Sequence, residues 1–237
     1  MVEKALKPAH ELVLSVTSIR EPIRWVEKYD PDEKILRGRA YLIAKRVFDL
    51  TIILISVPIF IPLMLLLMVV VKHEYPERDV FFKQLRTGKD GKRFWMYKFQ
   101  TMVPNAEELK SSLQHLSIVK WPDFKIPDDP RITRLGKILR KTSLDELPQV
   151  YNVLRGEMSM VGPRPTSFGT DFYKIWQTER LDVIPGITGV WQITTRNKTE
   201  FNERLISDIT YIQHRCLALD LEIFMRTVLD VFKAKGV

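Results

Sequence analysis

The strongest constraint on this chain is an apolar run from Leu50 to Val71 that two prolines interrupt. Its 22 residues would just cross a bilayer as a straight helix, because about 20 apolar residues span the hydrocarbon core. Pro58 and Pro62 each remove a helical hydrogen bond near the middle of the run and favour a kink there. The run therefore predicts a membrane-buried helix that bends.

Charges on both sides of the run indicate where its ends lie. Because basic segments prefer the cytoplasmic side, both ends are predicted to stay on that side. We therefore predict a re-entrant helix over residues 41–72, with a membrane break formed by Ser56, Pro58 and Pro62. The Ser56 hydroxyl, or protein packed beside it, would cover the carbonyls that the prolines free. A plain transmembrane span and a buried core helix are the alternatives. The flanking basic residues are Arg37, Arg39, Lys45, Arg46, Lys72 and Arg78.

Composition narrows the classes of partner and cofactor. The 237 residues allow one large domain or two small ones. The net charge of +8 favours an anionic partner, such as nucleic acid, anionic lipid or a phosphorylated substrate. The single cysteine, Cys216, excludes an intramolecular disulfide and a multi-cysteine metal site. The four histidines are scattered without ligand spacing, so no zinc site is predicted.

The whole sequence predicts an α+β fold that is mainly helical, with a re-entrant membrane helix hairpin, amphipathic interfacial helices and a small β-hairpin. It divides into an arm over residues 1–40, the membrane helix over 41–72 and one domain over 73–237. Apolar periodicity and Gly-rich turns place the elements. The predicted strands are Val80–Leu85, Arg93–Met102 and Val190–Thr194, and the predicted helices are Glu107–His115, Ile132–Lys141, Ser143–Leu154, Thr166–Arg180, Glu200–His214 and Asp220–Lys235.

One of these helices bears on the membrane question. Ile132–Lys141 is amphipathic and carries a dense basic face, which suits an anionic membrane interface. Packing against the protein core with a solvated basic face is the alternative.

An adjacent carboxylate pair, Asp145 and Glu146, allows two interpretations. The structural one is a capping box, because Ser143 and Glu146 have the spacing in which each side chain satisfies a backbone amide of a helix start. Acids in a first turn also complement the helix dipole. Local sequence alone leaves this interpretation open beside a catalytic one.

The catalytic interpretation rests on the cations around the pair. Arg140 precedes it, and Arg164 follows in the rigid sequence Pro163–Arg164–Pro165. A carboxylate held beside such cations can attack a phosphorus atom. Its neighbour can bind a divalent cation, and Mg²⁺ prefers oxygen ligands of this kind.

Several sequence blocks occur in an order that resembles one known family. The chain is similar to the bacterial sugar transferases of the monotopic phosphoglycosyl transferase family over residues 42–235, in the minimal form with a short N-terminal arm. The blocks are KRVFD (45–49), VFFKQ (80–84), MYKFQTM (96–102), DPRITRLG (129–136), TSLDEL (142–147), MSMVGPRP (158–165), PGITG (185–189) and LDL (219–221).

The resemblance implies a two-step, ping-pong transfer of a sugar-1-phosphate to undecaprenyl phosphate. Asp145 would attack the β-phosphate of a UDP-sugar, release UMP and hold the phosphosugar, which undecaprenyl phosphate then takes. Glu146 would help to hold Mg²⁺, and Arg140, Arg164 and Lys98 would contact phosphate groups. Residues 73–237 would form a cytosolic catalytic domain at the bilayer, on the cytoplasmic face of the bacterial inner membrane, with no nucleic-acid partner.

The family pattern also leaves some points open. Gln100 stands where the family commonly has arginine, and Asp208 matches an acidic family position or forms a salt bridge. A basic peripheral membrane protein without catalysis and a lipid-linked glycosyltransferase that releases UDP are the functional alternatives. The sugar, the glycoconjugate pathway and the presence of a homodimer do not follow from the sequence.

Overall fold

A long apolar helix dominates the computed structural model, which describes residues 21–119, 124–194 and 200–232. Helix α1 covers Gly38–Glu74, a length of 37 residues. It is long and apolar enough to cross a membrane, and only 11% of its most apolar window is buried. The alternative of a buried core helix is therefore wrong. The first half of the predicted N-terminal arm, residues 1–20, lies outside the described residues.

The helix stays helical through the predicted bend, and the bend itself stays a prediction. Helix α1 is continuous, and Pro58 and Pro62 both lie inside it. The two prolines lack only their own N–H groups, so the remaining hydrogen bonds can still maintain the helix. The Ser56 hydroxyl donates to the carbonyl of Ile53 (2.8 Å), whereas Pro58 frees the carbonyl of Leu54. Whether the two ends lie on one side of a membrane stays a prediction.

The predicted β-hairpin is confirmed and packs against both halves of α1. Strands β1 (Phe81–Thr87) and β2 (Arg93–Phe99) are antiparallel. Ile53 belongs to a cluster with Phe94 and Met96 near the start of β2. Leu67 and Val71 belong to a second cluster with Phe99 at its end. The helix is therefore attached to one strand at two places, and its exposed apolar residues between them include Leu54, Ile55, Ile59, Ile61, Leu65 and Leu66.

Short elements complete the domain. A parallel pair joins β3 (Ser159–Val161) to β4 (Gly186–Thr188). The other α-helices of the described residues are α2 (Glu108–Ser112), α3 (Arg134–Lys141), α4 (Gln149–Leu154), α5 (Val190–Thr194), α6 (Phe201–His214) and α7 (Leu217–Phe232). Helix α6 confirms the predicted helix Glu200–His214, and α7 confirms Asp220–Lys235 as far as residue 232.

The predicted helix Thr166–Arg180 is wrong. Two short 3-10 helices, Thr170–Phe172 and Ile175–Leu181, replace it. The reason is competition for its backbone: the carbonyl of Thr166 accepts from the Thr87 amide of β1 (2.9 Å). Tertiary hydrogen bonds of this kind override local helix propensity.

The predicted strand Val190–Thr194 is wrong as well, because these residues form helix α5. An apolar run of five residues does not distinguish a strand from a buried helical turn. The backbone of Gly189 approaches the carbonyl of Gly162 so closely that a Cβ would lie 2.6 Å from it. This contact makes the chain turn directly after β4.

A buried polar cluster fixes the start of α1 to the C-terminal helices. Asp220 of α7 accepts hydrogen bonds from the hydroxyls of Tyr41 (2.9 Å) and Tyr211 (2.6 Å). The Lys45 ammonium lies 3.0 Å from the same carboxylate. Asp49 accepts from the Ser159 hydroxyl at 3.0 Å and thereby reaches β3. We name Tyr41, Lys45, Asp49, Ser159, Tyr211 and Asp220 the helix anchor.

Candidate active site

The carboxylate pair lies in a tight connection between α3 and α4, and the predicted capping box is wrong. Ser143 has a left-handed backbone (φ 59°) and its side chain caps no helix. A 3-10 turn over Leu144–Glu146 follows, so the predicted helix Ser143–Leu154 begins only at Gln149. The left-handed residue reverses the chain after α3 and turns the pair inward.

Glu146 is held by two cations. Arg164 donates to both of its carboxylate oxygens, with Nη1 at 3.0 Å from Oε2, and the Lys98 ammonium lies 2.6 Å from Oε1. Burial alone would raise the pKa of Glu146, but the charges of Arg164 and Lys98 outweigh burial and hold the pKa well below its ordinary value. Glu146 is therefore an anion that lies where two cations predicted to bind phosphate converge.

Asp145 has a different environment although it is the adjacent residue. Its relative exposure is 7%, and the Lys98 ammonium lies 3.9 Å from its carboxylate. Among the described residues, no donor lies within hydrogen-bond distance of this carboxylate. Burial raises the pKa of Asp145, and the charge of Lys98 opposes this effect. A buried carboxylate with its oxygens free of hydrogen bonds is suited to act as a nucleophile.

Arg140 reaches the site from the last turn of α3. Its Nε donates to the Thr101 hydroxyl (3.0 Å), and its charge acts on the carboxylate of Asp145. Helix α3 can approach closely because a Cβ on Gly136 would lie 2.1 Å from the carbonyl of Thr101. A glycine is therefore required where α3 meets the end of the hairpin.

Asn152 holds α4 against the strand that carries Lys98. Its amide donates to the carbonyl of Trp95 (2.7 Å), and its oxygen accepts from the amide of Tyr97 (3.2 Å). The residue is fully buried. This contact sets the position of the carboxylate pair relative to Lys98.

The loop Pro163–Arg164–Pro165 is held at each of its three carbonyls. The carbonyl of Pro163 accepts from the Gly186 amide (2.9 Å). The carbonyl of Arg164 accepts from Arg180, and the carbonyl of Pro165 accepts from Arg86 (3.2 Å). The guanidinium of Arg164 is thus presented to Glu146 from a backbone with little freedom to move.

The structure brings together five residues that the sequence singled out: Lys98, Arg140, Asp145, Glu146 and Arg164. The proposed membrane-break residues, Ser56, Pro58 and Pro62, lie in α1 between its two packing regions. Asp208 pairs with Arg180 at 2.8 Å, which supports the salt-bridge interpretation. The Gln100 amide donates to the carbonyl of Met102 within its own loop.

Three residues near the site were missed by sequence reasoning: Arg86, Thr101 and Arg180. A signal existed for Arg86. In the hairpin register, Arg86 lies on the same face as Lys98, because β1 residues 82, 84 and 86 pair with β2 residues 98, 96 and 94. The alternation of the strands thus indicates a second cation that faces the carboxylate pair.

The fit of Mg²⁺ can be judged from the donors that are present. Carboxylate oxygens are suitable ligands, and Glu146 supplies two. Oε1 accepts from Arg164 and Lys98, and Oε2 accepts from Arg164, so movement of one of these cations to another anion would free more of the carboxylate for a divalent cation. Within the described residues, no third carboxylate, histidine or cysteine joins the pair. The donor chemistry is of the kind that Mg²⁺ prefers, and substrate phosphate and water would have to supply its remaining ligands.

Comparison with known proteins places the chain in a family. The family model described as bacterial sugar transferase matches residues 40–234, and the chain therefore belongs to this family. This result confirms the resemblance found in the sequence.

Individual relatives agree with this assignment. The chain is 40% identical to the galactosyl transferase CpsE of Streptococcus agalactiae over 83% of its own length and 44% of the relative. It is 37% identical to an undecaprenyl-phosphate galactose phosphotransferase of Salmonella typhimurium, over 85% of the chain and 43% of the relative. It is also 37% identical to the exopolysaccharide production protein ExoY of Rhizobium meliloti, over 81% and 87%. The chain thus spans less than half of the first two relatives and most of the third.

Proposed function

We propose that this protein is a phosphoglycosyl transferase that moves a sugar-1-phosphate from a UDP-sugar to undecaprenyl phosphate and releases UMP. The observation that carries the proposal is the contrast within the carboxylate pair. Asp145 is buried and, among the residues that the structure describes, free of hydrogen bonds, beside Lys98 and Arg164, which Glu146 holds. The names of relatives in Salmonella typhimurium and Aeromonas hydrophila, which refer to undecaprenyl-phosphate sugar phosphotransferases, support the substrate classes.

In the first step, a carboxylate oxygen of Asp145 attacks the β-phosphorus of the UDP-sugar. A P–O bond to Asp145 forms, and the P–O bond to the α-phosphate breaks, with its electron pair leaving on UMP. Lys98 and Arg164 would stabilise the charge that develops on the phosphoryl oxygens, because fixed cations at low dielectric act strongly on a transition state.

In the second step, a phosphate oxygen of undecaprenyl phosphate attacks the same phosphorus. The P–O bond to Asp145 breaks, the free carboxylate is restored, and a polyprenyl diphosphosugar leaves. Because each step replaces one P–O bond by another, no oxidant or external proton source is needed. Two chemically similar displacements at one site are typical of covalent catalysis.

Glu146 has a second proposed role in this scheme. When substrate phosphate enters, Arg164 and Lys98 can donate their hydrogen bonds to the phosphate instead of to Glu146. Glu146 is then free to hold Mg²⁺. When bound, the cation would neutralise charge on phosphoryl oxygens. Omission of Mg²⁺ with a chelator is expected to reduce UMP release strongly, and recovery on readdition checks this role.

The position at a membrane belongs to the same proposal. Both halves of α1 pack on strand β2, and the apolar residues between them are exposed. We propose that this middle part enters the bilayer and that both ends stay with the domain at the cytoplasmic face of the inner membrane. Single cysteines near residues 40 and 75, introduced after replacement of Cys216, should react with an impermeant reagent from the same side. Labelling from opposite sides would contradict a re-entrant helix.

The central experiment identifies the nucleotide product. Purified protein in detergent is incubated with undecaprenyl phosphate, Mg²⁺ and a panel of UDP-sugars, and UMP is separated from UDP. UMP release is expected from the parent chain, and a loss of turnover on the order of 10⁴-fold is expected for Asp145→Asn, as for other covalent nucleophiles.

A matched control changes a carboxylate away from the site. Asp128→Asn removes a carboxylate whose side chain is 95% exposed, and it should retain parental turnover. Release of UDP by the active protein, or full turnover of Asp145→Asn, would contradict the proposal. Isolation of a phosphosugar adduct on Asp145 tests the covalent step separately.

A further inference from the structure

Two arginines outside the predicted site hold neighbouring carbonyls of the loop Pro163–Arg164–Pro165. Arg180 donates to the carbonyl of Arg164, and Arg86 donates to the carbonyl of Pro165. The two residues have similar contacts with the loop. They differ in how their charges are balanced.

Arg180 has a counter-charge of its own. Its guanidinium lies 2.8 Å from the carboxylate of Asp208, and both side chains are almost fully buried. A buried arginine that is paired in this way contributes to structure and has no charge left for a ligand. Asp208 therefore supports the loop through Arg180.

Arg86 has no such partner. Its Nη1 donates to the carbonyl of Pro165, and its Nη2 donates to the side-chain oxygen of Gln84. Its Nε is buried and makes no hydrogen bond. Within the described ranges, no carboxylate lies within ion-pair distance of this guanidinium. A largely buried cation without a counter-ion in contact is costly, and a bound anion would balance its charge.

The surroundings of Arg86 place this unbalanced charge at the site. Burial lowers the pKa of Arg86 to about 10, with the positive charge of Arg164 as the next cause and the charge of Glu146 acting in the opposite direction. Arg86 remains protonated at neutral pH. The site thus holds four cations, Arg86, Lys98, Arg140 and Arg164, against the two carboxylates of Asp145 and Glu146. The excess positive charge matches a ligand with more than one phosphate group.

We propose that Arg86 binds the non-reacting phosphate of the UDP-sugar, which leaves on UMP. This inference rests on the proposed function, because it assumes that the substrate is a UDP-sugar. It assigns the two phosphates of that substrate to different cations. Lys98 and Arg164 lie at the carboxylate pair and serve the phosphate that Asp145 attacks. Arg86 contacts the loop at Pro165, the residue after Arg164. Its free Nε donor binds the phosphate that leaves on UMP.

The test compares Arg86→Gln with Arg93→Gln in the full-length chain. Arg93 is a matched control, because it also lies on the hairpin and donates to nearby loop carbonyls, Ser167 (3.1 Å) and Phe168 (2.7 Å). The probes are UDP and inorganic pyrophosphate, whose dissociation constants are measured by calorimetry. Arg86→Gln is expected to weaken the binding of both probes by about 10- to 100-fold, the range for a lost hydrogen bond to a charged group. Arg93→Gln is expected to bind as the parent does.

Two further measurements separate ligand binding from loop structure. Arg86→Lys keeps the charge and should recover part of the affinity, and melting temperatures without ligand should match among the variants. Parental affinity in Arg86→Gln, or an equal loss in Arg93→Gln, would overturn the proposal. If Arg86→Gln does not fold, Arg86→Lys decides it through the affinity for pyrophosphate: a loss supports phosphate binding, and parental affinity contradicts it.

Failure of the proposed function is distinguishable from failure of this inference. Binding of UDP and pyrophosphate needs no turnover, whereas the function is tested by the nucleotide that the parent releases. A parent that yields UMP while Arg86→Gln keeps its affinity would refute only the role of Arg86. A parent that yields no UMP while Arg86→Gln loses affinity would refute only the reaction.

Discussion

Two buried clusters of charged residues in the described part of the chain are built in opposite ways. In the helix anchor, Asp220 accepts two tyrosine hydroxyls and pairs with Lys45, while Asp49 accepts from Ser159. In the candidate site, cations outnumber carboxylates, and the carboxylate of Asp145 has no hydrogen bond. Both carboxylates of the anchor accept hydrogen bonds from neighbouring groups, and Lys45 pairs with one of them, whereas the site is left to be completed by something that binds.

The difference indicates how a structural cluster is distinguished from a functional one on physical grounds. Burial of a charge is expensive, so a cluster that only stabilises the fold must satisfy its members internally. A cluster that keeps unsatisfied groups under the same burial costs stability, and function is the usual reason for such a cost.

The largest expected effect contrasts one aspartate from each cluster. Asp220→Asn removes the counter-charge of buried Lys45 and is expected to cost about 3–5 kcal/mol, which lowers the melting temperature by about 10 °C. Asp145→Asn is expected to leave the melting temperature unchanged or higher, because it replaces a buried carboxylate by a neutral group. Thermal unfolding of both variants in the same detergent checks the contrast. Equal losses of stability would remove the distinction between the clusters.

The second prediction concerns pH and depends on the raised pKa of Asp145. Only the ionised carboxylate attacks, so the rate of the first step should fall as the pH decreases through the raised pKa, at a higher pH than for an ordinary aspartate. Lys98 is the main group that opposes this rise. Lys98→Gln should therefore move the acid limb of kcat/KM to still higher pH.

The measurement is kcat/KM for the UDP-sugar across acid and neutral pH, in the parent and in Lys98→Gln. Lys137→Gln is the control, because its exposed ammonium pairs with Asp128 outside the site. It should leave the acid limb in place. An acid limb that moves to lower pH in Lys98→Gln would show that Asp145 does not govern it.

A smaller effect is expected at the edge of the helix anchor. Ser159→Ala removes one of the hydrogen bonds to Asp49, whose carboxylate still accepts from the Met160 amide (3.0 Å). The expected cost is about 1 kcal/mol, the usual net value of one hydrogen bond. Denaturant unfolding measures it, with Ser111→Ala on exposed helix α2 as a control that should cost nothing measurable.

The smallest effect tests the turn that carries the carboxylate pair. Ser143→Gly should stabilise the chain by up to about 1 kcal/mol, because glycine adopts the left-handed conformation of Ser143 without strain. Gly156→Ala should destabilise it by about 1 kcal/mol, since Gly156 has φ 77° and open space around it. Denaturant unfolding measures the change in the free energy of unfolding for both variants. A change of the same sign in both would contradict the proposed role of the left-handed backbone.

Parts of this architecture follow directly from sequence patterns. The hairpin was predictable because a Gly-rich turn separates two apolar strands, and the C-terminal helices because their periodicity is long and regular. Lys98, Arg140, Asp145, Glu146 and Arg164 were predictable as a group only through the resemblance to a family. Local pattern alone gave Ser143 and Glu146 a capping role, which the left-handed backbone of Ser143 excludes.

Other parts depend on contacts that no local pattern contains. Strands β3 and β4 have three residues each and pair across a long connection, so neither is visible alone. The unbalanced charge of Arg86 emerges only when the positions of all neighbouring carboxylates are known. The helix anchor likewise joins Tyr41 to Asp220, which is 179 residues away.

The attachment of α1 at two places has a consequence for how the enzyme would meet its lipid substrate. A domain on a single tether samples many heights and tilts above a bilayer, whereas a body fixed through both halves of one helix keeps a constant orientation. The carboxylate pair would then stay at one depth relative to the phosphate headgroups. Encounter with undecaprenyl phosphate would become a search in two dimensions, in which only lateral diffusion and rotation about the membrane normal remain.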